Sequence, residues 1–269
     1  MERRLALMAG AGDLPGQVAA EARRQGWRVA AFALGASPDG LGEQVEDIVP
    51  VQIENLQATL EALAQWAATA AVFSGKFWKQ EIFAVAEGTD AVGRHLTNHG
   101  FGDIPLRQML VNVLEGLGMQ VLDQRAFLAE ALLTAPSLTR RKPSPVEWDE
   151  VRAGLRVARA LAVFHVGQTV VQARGVTVAV EAMEGTDETI RRGTRLAGPG
   201  AVIVKAIAPD NDYRFDVPTV GPATLEAAAG GEAAVLAIER GRVLLMDRAE
   251  VIRLAEEAGI ALVGVDRDG

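Results

Sequence analysis

The first half of the chain alternates short apolar segments with amphipathic ones, and this pattern restricts the fold more than any other feature. The segments RLALMAG, RVAAFAL and AAVFSGKF have strand character, and LPGQVAAEARRQG and NLQATLEALAQWAA repeat apolar residues at helical spacing. Apolar strands that alternate with helices are covered on both faces and form a parallel sheet. We therefore predict an α/β fold whose N-terminal domain, residues 1–134, is a doubly wound, Rossmann-like parallel sheet.

The second half has a different pattern. Residues 135–145, APSLTRRKPSP, contain three prolines and have the composition of a linker. After them, QTVVQARGVTVAVEA places Gly175 between two β-rich runs, which predicts a hairpin. Further short strands alternate with helices, so residues 146–269 are predicted to form a mixed α/β domain.

Composition excludes several classes of protein. A net charge of -8 argues against a general nucleic-acid binder, which usually presents a basic face. The absence of cysteine excludes disulfides, thiolate metal sites and a cysteine nucleophile. No run of 18 apolar residues is present, and LALMAGAG is too short for a signal-peptide core. We expect a cytoplasmic protein.

A glycine-rich turn follows the first predicted strand. Gly10, Gly12 and Gly16 precede or open a helix whose first residues include Leu14 and Pro15. The spacing is G-x-G-x-x-x-G rather than the dinucleotide G-x-G-x-x-G, so it does not indicate NAD binding. The turn is either a tight strand-to-helix connection or an anion contact at a helix N-terminus. Lys76, at the end of a later strand, is either a surface lysine or a ligand contact.

The sequence HLTNH places His95 and His99 at i, i+4 spacing. No acid lies between them, so this is not the H-E-x-x-H zinc motif, and solvated histidines are the favoured interpretation.

Two acidic segments each follow a predicted strand of the second half. EAMEGTDETIRR contains Glu184, Thr186 and Asp187, and acids at a helix start are favoured by the helix dipole alone. PDNDYRFDVPTVG follows Lys205 and holds Asp212, Arg214 and Asp216. This loop is either a solvated acidic loop with one ion pair or a Mg²⁺ and phosphate site, since Mg²⁺ binds through one or two carboxylates plus substrate phosphates.

Three motifs occur in an order that is similar to that of a known family. GAGDLP, EAMEGTDETIRR and DNDYRFDVPTVGPATL resemble the motifs of LpxI-type UDP-2,3-diacylglucosamine pyrophosphatases, and the resemblance extends over both halves of the chain. It implies a two-domain hydrolase of lipid A biosynthesis that binds its substrate between the domains. The implied reaction is divalent-cation-dependent attack of water on the α-phosphorus of UDP-2,3-diacylglucosamine, which yields UMP and 2,3-diacylglucosamine 1-phosphate.

The resemblance also implies roles for particular residues. Asp216 and Asp212 are the expected catalytic residues. Either both are ligands of Mg²⁺ or another divalent cation, or one of them orients the attacking water instead. The expected substrate contacts are Gly10, Gly12, Leu14, Pro15, Lys76, Glu184, Thr186, Asp187, Lys205, Arg214 and Thr219.

The lipid substrate implies a partner with acyl chains and transient, peripheral contact with the inner membrane. Self-association into a homo-oligomer is compatible with this assignment. The chain departs from the family at His165, where relatives often carry Asp, and in the stretch from Ala208 to Asp212, where they often carry Lys and Gln. Two alternatives remain open: the protein hydrolyses another nucleotide-diphosphate sugar, or it binds a nucleotide sugar or lipid without catalysis.

Overall fold

The computed structural model describes residues 2–34, 40–52, 55–75 and 103–267. These residues form two compact units. Unit 1 consists of Met1–Ala129 together with Tyr213–Asp216, and unit 2 consists of Glu130–Asp212 together with Val217–Gly269. Four residues of the acidic PDNDYRFDVPTVG loop therefore belong to unit 1, although its flanking residues belong to unit 2.

Unit 1 contains a five-stranded parallel sheet of order β3-β2-β1-β4-β5. Its strands are β1 (Arg4–Ala9), β2 (Arg28–Leu34), β3 (Asp47–Val51), β4 (Ala70–Ser74) and β5 (Gln120–Val121). Its helices are α1 (Leu14–Arg24), α2 (Leu56–Gln65), α3 (Asp103–Gly116) and α4 (Arg125–Leu128). This order is that of a doubly wound sheet, and it confirms the predicted Rossmann-like fold.

The core of unit 1 explains why the apolar runs became strands. Ala6, Ala30 and Ala71 occupy neighbouring strands and are buried in one cluster with the larger side chains of the surrounding helices. Small residues on the strands allow these helices to approach the sheet closely. The larger members of the cluster include Phe32, Leu63, Phe73, Val111, Leu114 and Met119.

Unit 2 contains a five-stranded mixed sheet of order β12-β10-β8-β6-β7 and a two-stranded parallel sheet of β11 and β9. Its strands are β6 (Thr169–Ala173), β7 (Val176–Val180), β8 (Val202–Lys205), β9 (Thr219–Val220), β10 (Val235–Glu239), β11 (Leu244–Leu245) and β12 (Ala261–Val265). Its helices are α5 (Pro145–Val163), α6 (Thr186–Ala197), α7 (Pro222–Gly230) and α8 (Arg248–Glu257). The mixed α/β fold of this half is confirmed. The predicted hairpin is β6–β7, which pair antiparallel around Arg174 and Gly175, both at positive φ.

The two faces of the main unit 2 sheet are both buried. Alternate strand residues enter separate apolar clusters: Val171 and Ile203 face one cluster, and Val170 and Val202 face the other. Helix α5 covers the second cluster through residues such as Leu155. Burial on both faces accounts for the continuous apolar sequences of β8, β10 and β12, whereas the edge strand β7 is only partly buried.

The structure divides the chain near residue 130, and the proline-rich stretch 135–145 is part of unit 2. The Leu138 amide donates to Leu262 O at 3.0 Å, and the buried Thr139 hydroxyl accepts from the Leu262 amide at 2.9 Å. An isolated bridge joins Ser137 to Val263. These contacts cover the exposed edge of β12, so the prolines mark irregular but packed backbone. Within the described residues, the helices are all too short or too polar to cross a membrane.

Candidate active site

The strand order of unit 1 creates a crevice at one place on the carboxyl edge of its sheet. The chain reverses its winding direction between β1 and β4, which are neighbours in the sheet. In sheets of this kind, ligands bind outside the carboxyl ends of the strands at such a reversal. The predicted glycine turn follows β1, so the topology places it at this crevice.

The glycine turn contacts the loop that follows β4. The Gly10 amide donates to Ser74 O at 2.8 Å, and Gly75 has a φ of +96°. A Cβ atom at Gly75 would lie 2.7 Å from Gly10 O and 2.8 Å from Ala11 O. Gly75 is therefore required both by its backbone angle and by the close approach of the two loops.

Helix α1 begins at this turn with Leu14, and Pro15 is buried in its first turn. Gly12 is exposed and has a φ of +94°. The N-cap residue Asp13 forms no side-chain capping bond. The geometry thus fits a tight turn, and the contact of Gly10, Gly12, Leu14 and Pro15 with substrate stays a prediction.

The part of the acidic loop that belongs to unit 1 lies along the same edge of the sheet. The Phe215 ring packs on Phe73, next to the end of β4, with ring centroids 4.7 Å apart. The Gln124 amide donates to Tyr213 O at 3.3 Å, and the Arg125 guanidinium lies 3.7 Å from the centroid of the Tyr213 ring. Cation–π contacts of this kind orient both partners. The aromatic residues Tyr213 and Phe215 therefore anchor the segment that carries Arg214 and Asp216.

In unit 2, Lys205 is the last residue of β8 and is only 5% exposed. Its Nζ donates to Thr186 Oγ1 at 2.8 Å, and that hydroxyl donates to Glu181 Oε1 at 3.0 Å. Among the described residues, Lys205 forms no ion pair. A buried ammonium group is costly without an opposite charge, and an incoming anion would compensate it.

Two further predicted substrate contacts, Asp187 and Glu184, bind other side chains of unit 2. Asp187 Oδ1 accepts from Thr224 Oγ1 at 2.9 Å, which ties the start of α6 to the start of α7. Glu184 pairs with Arg192 at 2.5 Å on the outer side of α6. The backbone N–H of Glu184, and then Arg192, hold the pKa of the Glu184 carboxyl below its usual range. The structure thus brings Lys205 together with Thr186, and it gives Glu184 and Asp187 partners of their own.

The remaining predicted residues are distributed over the chain. Asp212 belongs to unit 2, whereas Arg214 and Asp216 belong to unit 1. Thr219 opens β9 and pairs with Leu244 of β11. Lys76, His95 and His99 lie outside the described residues. Within the part of the chain that the structure describes, no group of three or more histidine or acidic side chains is arranged to hold a metal ion.

The departure at His165 has a structural explanation. His165 follows the last turn of α5, is exposed and has a φ of +54°. Asp and His are both enriched in this left-handed conformation, so either residue can end the helix. The structure therefore places His165 at an exposed helix terminus.

Sequence reasoning assigned no role to several residues that shape these edges. Glu181, Thr224, Arg125 and Gly75 all contact predicted site residues or their loops. Glu181 was recognisable as an acid at the end of a strand. The roles of Arg125 and Thr224 depend on partners that are 88 and 37 residues away in the sequence, and no local pattern identifies them.

Known families match the chain along nearly its whole length. The model described as the LpxI N-terminal domain matches residues 4–131, and the model described as the LpxI C-terminal domain matches residues 134–263. A UDP-2,3-diacylglucosamine pyrophosphatase LpxI from Caulobacter vibrioides is 29% identical over 277 aligned residues, which cover 98% of each chain.

Solved structures resemble the chain only remotely. Glycinamide-RNase-transformylase T from Mycobacterium tuberculosis is 18% identical with a TM-score of 0.26, and the match covers 67% of this chain and 44% of that one. The ADP complex of PurK, an N5-carboxyaminoimidazole ribonucleotide synthetase, is 11% identical with a TM-score of 0.29, covering 71% and 44%. The chain thus spans less than half of either structure, and scores this low carry no argument about its fold or function.

Proposed function

The chain belongs to the LpxI family, and from this premise we propose that it hydrolyses the diphosphate of UDP-2,3-diacylglucosamine in lipid A biosynthesis. The products are UMP and 2,3-diacylglucosamine 1-phosphate. Two family models that together match residues 4–131 and 134–263, and a relative of that activity aligned over 98% of each chain, support this assignment. The proposed position of the protein is peripheral, at the membrane that supplies the diacylated substrate.

The structural observation that carries the proposal is the buried ammonium group of Lys205. It has one hydroxyl partner, Thr186, and no ion pair among the described residues. A diphosphate supplies the missing negative charge, and low exposure strengthens a charge-assisted hydrogen bond. We assign Lys205 and Thr186 to the binding of phosphate oxygens.

The substrate is proposed to contact both units. Arg214 and Asp216 belong to unit 1 and flank Phe215, which packs on Phe73 near the end of β4, and Lys205 is the last residue of β8 in unit 2. A substrate with a nucleotide, a diphosphate, a sugar and two acyl chains is large enough to need an extended binding surface. Residues of two units can provide it.

A divalent cation is proposed to bind at this site together with the substrate phosphates. The described residues contain no preformed cluster of three ligands, and Mg²⁺ commonly binds one or two carboxylates plus substrate phosphates. Asp212 and Asp216 are the residues proposed to hold it. When bound, the cation supplies stabilisation of negative charge on the phosphate oxygens.

The chain's own side chains account for the remaining chemistry. One of the two carboxylates, Asp212 or Asp216, orients the attacking water and accepts its proton. The water oxygen bonds to the α-phosphorus as the bond from that phosphorus to the bridging oxygen breaks. The bridging oxygen leaves with the sugar phosphate, and Arg214 and Lys205 offset the charge that develops on the phosphate oxygens.

The test is UMP release from UDP-2,3-diacylglucosamine by the purified full chain, with Mg²⁺ and with EDTA, for wild type and Asp216→Asn. Asp210→Asn is a matched control, because Asp210 is an exposed carboxylate of the same loop. We expect metal-dependent release that Asp216→Asn lowers at least 100-fold and Asp210→Asn leaves within about twofold.

The alternatives predict other outcomes. Release of a nucleoside monophosphate only from a different nucleotide sugar would show that the stretch from Ala208 to Asp212 alters specificity. Tight binding of UDP-2,3-diacylglucosamine without turnover under any divalent metal would show a binding protein. Equal activity of the Asp216 and Asp210 variants would remove Asp216 from the catalytic site.

A further inference from the structure

The buried carboxylate Glu239 lies at the carboxyl edge of unit 2 and takes no part in the chemistry described above. It is the last residue of β10 and is 1% exposed. Its Oε1 accepts from Arg159 Nε at 2.8 Å, and its Oε2 accepts from the Ile207 amide at 2.9 Å. Arg242 Nη1 lies 3.6 Å from the same Oε2.

Arg242 holds the other side of the same backbone segment. Its Nη1 donates to Ile207 O at 3.2 Å, and its Nη2 donates to Ala208 O. The Ile207 peptide groups are thus fixed on the amide side by Glu239 and on the carbonyl side by Arg242. Ile207 and Ala208 are buried and immediately precede Pro209, where the acidic loop begins.

The same stretch of chain also holds the far end of the loop. The Leu244 amide donates to Pro218 O at 2.9 Å, and Leu244 and Leu245 pair with Thr219 and Val220 as β11 and β9. Residues 239–246 therefore fix both places where the acidic loop is attached to unit 2. We call this segment the loop clamp.

We propose that the loop clamp positions the acidic loop for catalysis, and that Glu239 with Arg242 is its ionic element. The two groups act through the backbone of Ile207 and Ala208, so they are positioning residues. A buried ion pair can fix the position of the loop that it holds. Accurate positions matter here because small displacements of catalytic groups lower the rate by large factors. The catalytic part of this inference rests on the proposed function, whereas its structural part does not.

The first experiment needs no substrate. Amide hydrogen exchange is measured by mass spectrometry over residues 206–212 of the full chain, for wild type, Glu239→Gln and Glu239→Ala. Gln keeps an acceptor for the Ile207 amide but loses the charge, and Ala loses both. We expect exchange to rise at least tenfold in the Ala variant and less in the Gln variant, with β6 and β8 unchanged.

Arg242→Gln is included in case the Glu239 variants do not fold. In this variant Glu239 keeps its contact with Arg159, so its carboxylate is not left buried without a partner. Arg240→Gln is the matched control, since Arg240 lies within the loop clamp but its side chain binds the exposed Asp266 and the Thr134 carbonyl instead of the acidic loop. Folding of each variant is checked by circular dichroism and by Tm. Wild-type exchange at residues 206–212 in folded Glu239→Gln and Arg242→Gln would overturn the clamp.

The second experiment measures kcat and KM for UMP release well below the Tm of each variant. A clamp that positions catalytic groups predicts a kcat loss of about 10- to 100-fold in Glu239→Gln, with KM within about threefold and Arg240→Gln near wild type. A purely stabilising contact predicts a lower Tm and an unchanged kcat, and that result would overturn the positioning role. Absence of UMP release by wild type would instead contradict the proposed function and leave the exchange result standing.

Discussion

At the glycine turn of unit 1, the carboxyl edge of the sheet is built from backbone groups and small side chains, whereas the carboxyl edge of the unit 2 sheet contains buried ionic groups. The first edge has Gly10 and Gly75 in contact and the Ser74 side chain fully buried. The second edge buries the ammonium group of Lys205 and the carboxylate of Glu239. The first edge therefore depends on steric fit and the second on charge. An added methyl group should disrupt the first edge, and removal of a charge should disrupt the second.

The steric edge should be the more sensitive of the two to a single methyl group. Gly75→Ala places a Cβ 2.7 Å from Gly10 O at a φ of +96°, so we expect the free energy of unfolding to fall. The expected loss is about 3 kcal/mol, measured by urea unfolding. Gly118→Ala is the control, because Gly118 also has positive φ but open space around it; it should cost about 1 kcal/mol. Equal losses would mean that the contact with Gly10 contributes nothing.

A substitution at the charged edge should lower the activity without lowering the stability. Lys205→Met removes a buried charge that has no ion-pair partner among the described residues, so stability should stay level or rise. The value of kcat/KM for UMP release should fall about 10- to 100-fold, which corresponds to one lost charge-assisted hydrogen bond. Lys142→Met changes an exposed lysine and should alter kcat/KM less than about twofold. A less stable but fully active Lys205→Met protein would make this lysine structural.

Two individual helix starts offer a smaller contrast, although the units do not differ as a whole, since the Asn55 side chain caps α2 in unit 1. Helix α5 of unit 2 begins with a capping box in which the Ser144 side chain accepts from the Glu147 amide, whereas Asp13 of unit 1 caps α1 with no side-chain bond. Ser144→Ala should lower the free energy of unfolding by about 1 kcal/mol, and Asp13→Ala by only a few tenths. Thermal and urea unfolding would show this, and a larger loss for Asp13→Ala would reverse the comparison.

The smallest effect concerns pH and the exposed pair of Glu184 with Arg192. Its own backbone N–H and then Arg192 lower the pKa of Glu184, so folding favours the ionised carboxylate. This contribution is complete above the unfolded pKa, near 4.3, and is lost as pH falls through the folded pKa. Glu184→Gln should therefore cost a few tenths of a kcal/mol at neutral pH and nothing at about pH 2. A stability difference that persists at low pH would exclude the ionic explanation.

The division of the acidic loop could not be predicted from its sequence. Tyr213–Asp216 belongs to unit 1 because Phe215 packs on Phe73 and Tyr213 on Arg125. The partners of these aromatic rings lie 142 and 88 residues away, and nothing local to the loop indicates them. For the same reason, the packing of residues 135–145 along β12 could not be predicted. A proline-rich stretch indicates irregular backbone, but it does not indicate which strand that backbone packs against.

The sequence by itself determined the fold class of each half, the hairpin around Gly175 and the identity of the motifs, because periodicity and turn chemistry act over a few neighbouring residues. The resemblance also placed Lys205 and Thr186 among the expected substrate contacts. Only the tertiary structure decided that Lys205 donates to Thr186, that Glu239 holds Ile207, and that Asp187 is bound to Thr224. These contacts join residues 19 to 37 positions apart, and they form only once neighbouring strands and helices bring their ends to one edge of the sheet.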